Sequence, residues 1–274
     1  MVVFPNCKIN LGLSILQKRD DGFHDLETIF YPVKFNDALE IINSSSSDKE
    51  IEYSSSGIQI EGSEENNLCI KAYYEIKKDY PELPSIKLHL LKAIPTGAGL
   101  GGGSSDAAFT LKLLNEKFHL NVPEQRLMSY AKQLGSDCAF FLKNIPSLAT
   151  GRGEILEDFP VDLSGYYIAL INPGIHINTG WAFAQLTPQR PEKSIREIIL
   201  QPVSDWKENL QNDFEEPIFN AYPEIKNIKD ELYKMGALYA SMSGSGSTVF
   251  GIINKEISLT SFTQQNFFTK LISC

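Results

Sequence analysis

The chain lacks three features that would place it in a familiar class of protein. Its four cysteines form no C-x-x-C pair, and no histidine stands at ligand spacing to a cysteine, which disfavours a zinc site. No apolar run approaches the roughly 18 residues that span a membrane. Asn6 and Lys8 interrupt the N-terminus before the hydrophobic segment of a secretory signal forms. We therefore expect a cytoplasmic protein with reduced thiols and no membrane partner.

The chain also has fewer basic than acidic residues. The 274 residues include 25 Lys and Arg against 34 Asp and Glu, which gives a formal net charge of -9. Binding to nucleic acid without regard to sequence needs a basic face, so we expect no nucleic-acid partner. Apolar residues make up 42% of the chain, enough for a sizeable core in one large domain or two modest ones.

The most informative segment is a glycine-rich loop at residues 95–108. Five of the seven residues from Gly97 to Gly103 are glycine, which lets backbone N–H groups approach a ligand closely. Two serines and a helical pattern follow, and a helix N-terminus adds unpaired N–H groups and a positive dipole end. The sequence therefore predicts a phosphate site with a nucleotide as its ligand. The residues assigned to it are Pro95, Gly97, Gly99, Leu100, Gly101, Gly102, Gly103, Ser104 and Ser105.

The spacing disfavours two other phosphate loops. A Walker loop needs Lys followed by Ser or Thr after its last glycine, whereas Ser-Ser-Asp stands here and no lysine occurs between Pro95 and Lys112. The dinucleotide pattern G-x-G-x-x-G is matched only weakly, because a glycine cluster satisfies many glycine templates by accident. A flexible linker is the plainer alternative, but a bounding proline and an immediate helix start disfavour it.

Hydrophobic periodicity predicts a coarse order of elements. A half-buried strand is expected over 6–16, with Lys8 and Asn10 on one face and about 7 Å apart at a rise of ~3.3 Å per residue. After the glycine loop we expect a helix capped by Ser104 or Ser105. This order predicts two mixed α/β layers with domains at 1–155 and 156–274. The other expected elements are a strand pair at 38–42 and 50–53 around the serine-rich loop 43–48, a helix at 67–79, a strand at 85–91, a helix at 123–134, an apolar segment at 138–142, a strand at 166–171, a helix at 179–185, a helix at 205–234 broken at Pro223, and a strand at 248–253.

Three segments together resemble the GHMP kinases, a superfamily that includes galactokinase, homoserine kinase and mevalonate kinase. The loop at 95–108 and a second glycine–serine loop at 243–248 are similar to two of its loops. The segment 7–32, which contains Gly-Phe-His-Asp-Leu-Glu-Thr, narrows the resemblance to the family that phosphorylates a tertiary hydroxyl of a cytidine diphosphate conjugate. The resemblance implies ATP and Mg²⁺ as cofactors. It also implies an α+β fold with an N-terminal domain like domain 2 of ribosomal protein S5 and a ferredoxin-like C-terminal domain.

The resemblance also implies roles for individual residues. Asp137 matches the catalytic aspartate, the base for the hydroxyl, and Lys8 matches the lysine that would keep this carboxylate ionised. Asn67 and Leu68 match residues near the adenine. The residues implied for the cytidine conjugate are Phe23 and Phe183 stacking on cytosine, His24 reading its edge, and Asn10, Phe30, Thr179, Gly244 and Ser245 around the rest of the substrate.

Several of these assignments have plainer alternatives. Asp137 is also suited to cap the helix after Gly135, and Phe23 and Phe183 are also suited to core packing. Asp106 stands where many relatives carry Asn, and it suits either a cap or a water-mediated contact to Mg²⁺, so the metal position stays open.

Rival functions also stay open at this stage. One is another GHMP kinase that acts on homoserine or a mevalonate derivative, and a second is a non-catalytic nucleotide sensor. An RNA-binding protein of the S5-like fold is disfavoured by the net charge of -9. We expect a monomer or weak homodimer.

Overall fold

The computed structural model describes residues 1–44 and 49–274 of the chain. These residues form two compact units that interleave along the sequence. The first unit comprises residues 1–7, 35–96 and 101–145, and the second comprises residues 8–34, 97–100 and 146–274. The expected division at 155/156 concerns continuous sequence domains and stays a prediction. Most of the expected serine-rich loop, at 45–48, lies outside the described residues.

Strands and helices alternate irregularly along the chain. The strands are β1 (Val2–Val3), β2 (Asn6–Lys18), β3 (His24–Asn36), β4 (Ala38–Asn43), β5 (Ile51–Gly57), β6 (Ile86–Lys92), β7 (Ser147–Thr150), β8 (Ile155–Asp158), β9 (Tyr167–Asn172), β10 (Tyr239–Met242), β11 (Val249–Ile253) and β12 (Phe268–Ser273). The helices are α1 (Leu68–Asp79), α2 (Gly102–Lys117), α3 (Glu124–Leu134), α4 (Cys138–Lys143), α5 (Thr179–Ala184), α6 (Ile195–Ile199), α7 (Trp206–Asn209), α8 (Glu215–Ala221), α9 (Pro223–Lys234) and α10 (Thr260–Thr263), with short 3-10 turns at Glu64–Asn66 and Val203–Asp205.

The first unit is built on a sheet with the strand order β1-β4-β6-β5. β4 runs antiparallel to β6, whereas β5 runs parallel to it and reaches it through α1. The expected pairing of 38–42 with 50–53 is therefore wrong, because β6 lies between the two strands. In β6, the buried residues Ile86, Leu88 and Leu90 alternate with residues that are polar or exposed. The strand can therefore bury one face while it forms backbone hydrogen bonds to a neighbouring strand at each edge.

The helices of the first unit follow their sequence signals with one shift. α1 begins after Asn67, whose Oδ1 accepts a hydrogen bond from the Cys69 N–H at 2.8 Å. α2 begins at Gly102 and not after the two serines, because Gly101 takes the N-cap position with a φ of 69°. The expectation that Ser104 or Ser105 caps this helix is therefore wrong. The apolar segment at 138–142 is itself helical, as α4.

The second unit contains two sheets, with the orders β2-β3-β7-β8 and β10-β11-β9-β12. Its core packs β9, β10 and β11 against the apolar face of α9, which carries Ile225, Ile228 and Leu232. The expected half-buried strand at 6–16 is present as β2, but both of its faces are buried over most of its length. Lys8 and Asn10 tolerate this burial because hydrogen bonds satisfy their polar atoms.

The segment 205–234 is more broken than its sequence suggests. Pro223 occupies the first turn of α9, as expected from its missing N–H. A second interruption separates α7 from α8 at residues 210–214. Among the described residues, no helix combines the length and apolar character needed to cross a membrane.

Candidate active site

Strand β2 carries an ammonium group and an amide side by side in the second unit. Lys8 Nζ donates a hydrogen bond to Asn10 Oδ1 at 2.6 Å and lies 4.9 Å from the centre of the Phe30 ring. Asn10 Nδ2 donates to Thr28 Oγ1 at 3.0 Å, which fixes the amide orientation. The structure thus brings the predicted residues Lys8, Asn10 and Phe30 together, and Thr28 joins them as a residue that sequence reasoning missed.

The two glycine–serine loops meet within the second unit. Ser243 Oγ donates to the Gly99 carbonyl at 2.8 Å, and the Thr248 N–H donates to the Ala98 carbonyl at 3.2 Å. Gly99 has a φ of +78°, and a Cβ added there would lie 1.9 Å from the Ser243 carbonyl oxygen. Only glycine therefore permits this approach. The carbonyl of Leu100 accepts a hydrogen bond from the Lys8 N–H at 3.0 Å, which ties the first loop to β2.

Two buried asparagines that sequence reasoning missed hold the second loop in place. Asn212 Nδ2 donates to the carbonyls of Met242 at 2.7 Å and Gly244 at 2.9 Å. Asn172 Nδ2 donates to Thr248 Oγ1 at 3.0 Å. The sequence feature that could have identified Asn212 is the Gln-Asn-Asp run between α7 and α8, because Asn and Asp are common in turns. The prediction of a helix over 205–234 did not take this run into account.

The residues implied for the substrate at the second loop lie near one another. Thr179, at the start of α5, places its Oγ1 at 3.2 Å from Ser245 Oγ. Ser243 Oγ also lies 3.4 Å from Asn10 Oδ1. Thr179, Gly244 and Ser245 therefore form one polar cluster with the Asn10 side of β2.

Two of the three residues implied for cytosine, His24 and Phe183, are in contact with each other. The His24 imidazole stacks on the Phe183 ring with centroids 4.9 Å apart and planes 15° apart, and Phe214 supports Phe183 edge-on at 4.9 Å. The Phe23 ring is 49% exposed. Burial, followed by the charge of Lys18, lowers the pKa of His24, so its imidazole is neutral at pH 7. A neutral imidazole has one donor and one acceptor nitrogen.

A separate cavity of about 410 Å³ lies in the first unit. Its lining includes the predicted residues Asn67, Leu68 and Gly103, together with Tyr53 and Lys92. Asn67 Nδ2 donates to the Tyr53 hydroxyl at 2.9 Å, so the N-cap of α1 forms part of the wall. The structure thus places the residues expected near adenine and the first turn of α2 around one cavity.

A buried cluster of charges lies at this cavity. Lys92 Nζ donates to Asp37 Oδ2 and, at 2.7 Å, to Asp106 Oδ2, and all three side chains are 3% exposed or less. Asp106 Oδ1 is buried without a hydrogen-bond partner among the described residues. Burial raises the pKa of Asp106 to about 7, although Lys92 opposes the shift. Burial lowers the pKa of Lys92, but the two carboxylates outweigh it and leave that pKa raised. Asp106 is thus a member of a buried ion-pair cluster and not a helix cap.

The predicted base and the two serines belong to the first unit. Asp137 occupies the N-cap position of α4, but its side chain makes no capping hydrogen bond. The alternative that Asp137 merely caps this helix is therefore wrong. Ser104 and Ser105 lie in the first turn of α2, and Ser105 Oγ is buried without a partner in the described part of the chain. Across residues 1–44 and 49–274, no group of three or more His, Cys, Asp or Glu side chains is arranged to hold a metal ion.

Two family models match the chain. The model of the GHMP kinases N terminal domain matches residues 67–144, and that of the GHMP kinases C terminal domain matches residues 194–260. The first match covers Asn67 and Leu68, most of the glycine loop, and Asp137. The second ends just after β11 and includes the second glycine–serine loop.

Whole-chain comparisons extend these matches. A 4-diphosphocytidyl-2-C-methyl-D-erythritol kinase from Bacteroides thetaiotaomicron is 54% identical over 256 residues, covering 93% of each chain. A crystal structure of a 4-(cytidine 5'-diphospho)-2C-methyl-D-erythritol kinase superposes with a TM-score of 0.84 at 27% identity over all of both chains. The mevalonate kinase of Methanococcus jannaschii has a TM-score of 0.73 at 12% identity, a likeness of fold alone. With more than half of its residues identical to a relative that it covers almost fully, the chain belongs to the 4-diphosphocytidyl-2-C-methyl-D-erythritol kinase family of the GHMP kinases.

Proposed function

We propose that this chain transfers the γ-phosphoryl group of ATP to the 2-hydroxyl of 4-diphosphocytidyl-2-C-methyl-D-erythritol, in the non-mevalonate route to isoprenoid precursors. The observation that carries the proposal is the His24 imidazole stacked on the Phe183 ring in the second unit, with the half-exposed Phe23 next to His24 in the chain. Stacking on a base is worth roughly 1–3 kcal/mol, and a neutral imidazole suits the donor and acceptor edge of cytosine. Homoserine and mevalonate derivatives carry no base, so such a group would have nothing to recognise in them.

ATP is the phosphoryl donor of this family of kinases. We infer that its adenine occupies the cavity lined by Asn67 and Leu68, and that its phosphates lie along the glycine loop. Gly97, Gly99 and Gly101 all have left-handed φ angles, a conformation that occurs in the backbone nests that bind anions. The N-terminus of α2 adds further unpaired N–H groups and a positive dipole end.

For the chemical step we propose that Asp137 accepts the proton of the reacting hydroxyl. Asp137 stands at the N-cap position of α4, and a carboxylate can accept the proton of a hydroxyl. Lys8 supplies a positive charge near the developing negative charge, and its hydrogen bond to Asn10 fixes the ammonium position. Most of the rate acceleration in phosphoryl transfer comes from positioning and electrostatic stabilisation, which the two loops would provide.

Mg²⁺ is proposed as a companion of ATP. Asp106 does not fit a direct ligand, because the Lys92 ammonium, 2.7 Å from its Oδ2, would stand beside the cation. We infer that phosphate oxygens and water supply most of the ligands, the usual arrangement for Mg²⁺ in enzymes that use nucleotides.

Several finer expectations are kept as proposals. They are an S5-like N-terminal domain over 1–155, a ferredoxin-like C-terminal domain over 156–274, a cytoplasmic location, a monomer or weak homodimer, and no nucleic-acid or membrane partner. The parallel pair β5 and β6 with α1 between them, and the four-stranded sheet of β9 to β12, support the two domain types.

A coupled ADP-release assay tests the substrate. The protein is supplied with Mg-ATP and, in parallel, the cytidine conjugate, homoserine or mevalonate. We expect turnover with the cytidine conjugate alone, and cytidine 5'-diphosphate should raise the melting temperature because it binds the folded state. Turnover with another alcohol and no thermal protection by cytidine 5'-diphosphate would refute the proposed substrate.

The base assignment is tested with Asp137→Asn. We expect this variant to fold and to bind ATP and the cytidine conjugate, with a loss of turnover on the order of 10²–10⁴-fold, the usual contribution of a general base. Asp205→Asn removes an exposed carboxylate of the second unit and serves as the control. Turnover of Asp137→Asn within about twofold of the control would exclude the base role.

A further inference from the structure

Arg152 makes a close contact with a predicted substrate residue. It lies in the turn between β7 and β8, and its guanidinium carbon is 3.8 Å from the centre of the Phe23 ring. This is a stacking distance for two planar groups. Phe23 is nevertheless 49% exposed, so the guanidinium does not enclose this residue.

The backbone on both sides of this contact is held by hydrogen bonds. The Leu26 N–H donates to the Gly151 carbonyl at 2.7 Å, which ties the start of β3 to the turn that carries Arg152. The Arg152 N–H donates to Glu154 Oε2 at 2.6 Å. On the other side, the Phe23 carbonyl accepts from the Arg19 N–H at 2.8 Å. Hydrogen bonds therefore fix the backbone on both sides of the contact between Arg152 and Phe23.

The Asp21 carboxylate, on which Arg152 also acts, is paired with another arginine. Arg19 forms ion pairs with both Asp21 and Asp25, at 3.0 Å and 2.8 Å, whereas Arg152 helps to lower the pKa of Asp21 without forming an ion pair with it. Within residues 1–44 and 49–274, Arg152 forms no ion pair. A guanidinium without a carboxylate partner, stacked on an aromatic face, keeps its attraction for the ring quadrupole.

We propose that Arg152 is a positioning residue for the pyrimidine of the substrate. It occupies one face of Phe23 and fixes the plane of the ring, so that cytosine can stack only on the opposite face. This inference rests on the proposed function, because it assigns cytosine to Phe23. It adds a residue that the resemblance did not point to and that acts through Phe23 without touching the reacting atoms.

Three single variants test the proposal by steady-state kinetics. Arg152→Met keeps much of the side-chain length but removes the charge, and it should raise the KM for the cytidine conjugate by roughly two- to fivefold, the effect of a cation–π contact at an exposed site. Arg152→Lys should recover part of this loss, because an ammonium retains the charge but not the planar stack. The KM for ATP should stay constant in both variants. Arg196→Met, which removes an exposed arginine from Glu157 and Phe159 in the same unit, is the matched control and should change neither KM.

A double-mutant cycle with Phe23→Leu then separates positioning from simple charge attraction. If Arg152 acts through the ring, Arg152→Met should have no further effect on KM in the Phe23→Leu background. If its charge instead attracts the diphosphate directly, the two effects will multiply, and the proposal is overturned. An unchanged KM in Arg152→Met alone overturns it as well.

Failure of the proposed function would look different. Wild-type protein that does not turn over the cytidine conjugate, or Phe23→Leu with an unchanged KM, removes the cytosine assignment itself. If the protein turns over the conjugate and Phe23→Leu raises the KM, but the effects of Arg152→Met and Phe23→Leu on KM multiply, only the role proposed for Arg152 is refuted.

Discussion

The buried charge cluster of Asp37, Lys92 and Asp106 should make the stability of the protein depend on pH, and replacing Asp106 by asparagine should abolish this dependence. Asp37 and Asp106 share a single ammonium, that of Lys92, and one positive charge can neutralise only one carboxylate. The second carboxylate is therefore buried with a net negative charge whenever it is ionised. Burial raises the pKa of Asp106 from 3.8 to about 7 for this reason.

The sign of the effect follows from proton binding. In the unfolded chain Asp106 releases its proton near pH 4, whereas in the folded protein it holds the proton to about pH 7. Between these values the folded state binds more protons, so the free energy of unfolding falls as the pH rises. Each pKa unit corresponds to about 1.4 kcal/mol, so a shift of about three units costs about 4 kcal/mol by pH 8, more than half of it between pH 5 and pH 8. The amide introduced by Asp106→Asn would not titrate, while Lys92 would keep its partner Asp37.

Urea unfolding at pH 5, 6, 7 and 8 measures this difference. The stability of Asp106→Asn relative to wild type should rise by on the order of 2–4 kcal/mol from pH 5 to pH 8, with most of the change below pH 7. Asp20→Asn, which removes an exposed carboxylate, should track wild type across the range. If the curves of Asp106→Asn and wild type run parallel within about 0.5 kcal/mol, the shared-ammonium reasoning is refuted.

Three further predictions concern the second unit. Asn212→Asp removes both hydrogen bonds that hold the second loop and places a carboxylate against two carbonyls, so this variant should lose roughly 2–3 kcal/mol of stability and most turnover. The exposed control Asn220→Asp should lose little of either. Equal stability of the two variants would contradict the role of Asn212 in holding the loop. Gly99→Ala should cost at least ~2 kcal/mol because its Cβ would clash with the Ser243 carbonyl, whereas Gly103→Ala, with open space at its Cβ, should unfold at the same urea concentration as wild type or higher. The lowered pKa of His24 should keep the KM for the cytidine conjugate nearly constant from pH 7 to 8, and a KM transition centred in this range would show that the imidazole titrates higher.

Features that depend on neighbours in sequence were predictable. The alternation of 6–16, the helical period of 67–79 and the proline at 223 each produced the expected element. The glycine loop before α2 also stands where its composition placed it. These properties are local, because strand alternation, helix period and capping act within a few residues.

Features that depend on distant partners were not predictable in the same way. The insertion of β6 between β4 and β5 contradicted the expected hairpin, since strand order follows from which apolar faces pack together and not from adjacency in the chain. The break between α7 and α8 at 210–214 was not predicted, because Asn212 in this break is held by hydrogen bonds to a loop about 30 residues further along the chain.

The sequence by itself determined the glycine loop before α2, the residues proposed for cytosine at 23, 24 and 183, and the resemblance that the relatives confirm. Only the tertiary structure decided what surrounds these residues. It paired Lys92 with Asp37, 55 residues away, and so turned Asp106 from a candidate cap into part of a buried charge cluster. It also laid Arg152 on one face of Phe23. The physical reason is that burial, charge pairing and ring stacking depend on distances through space, and residues far apart in the chain set those distances.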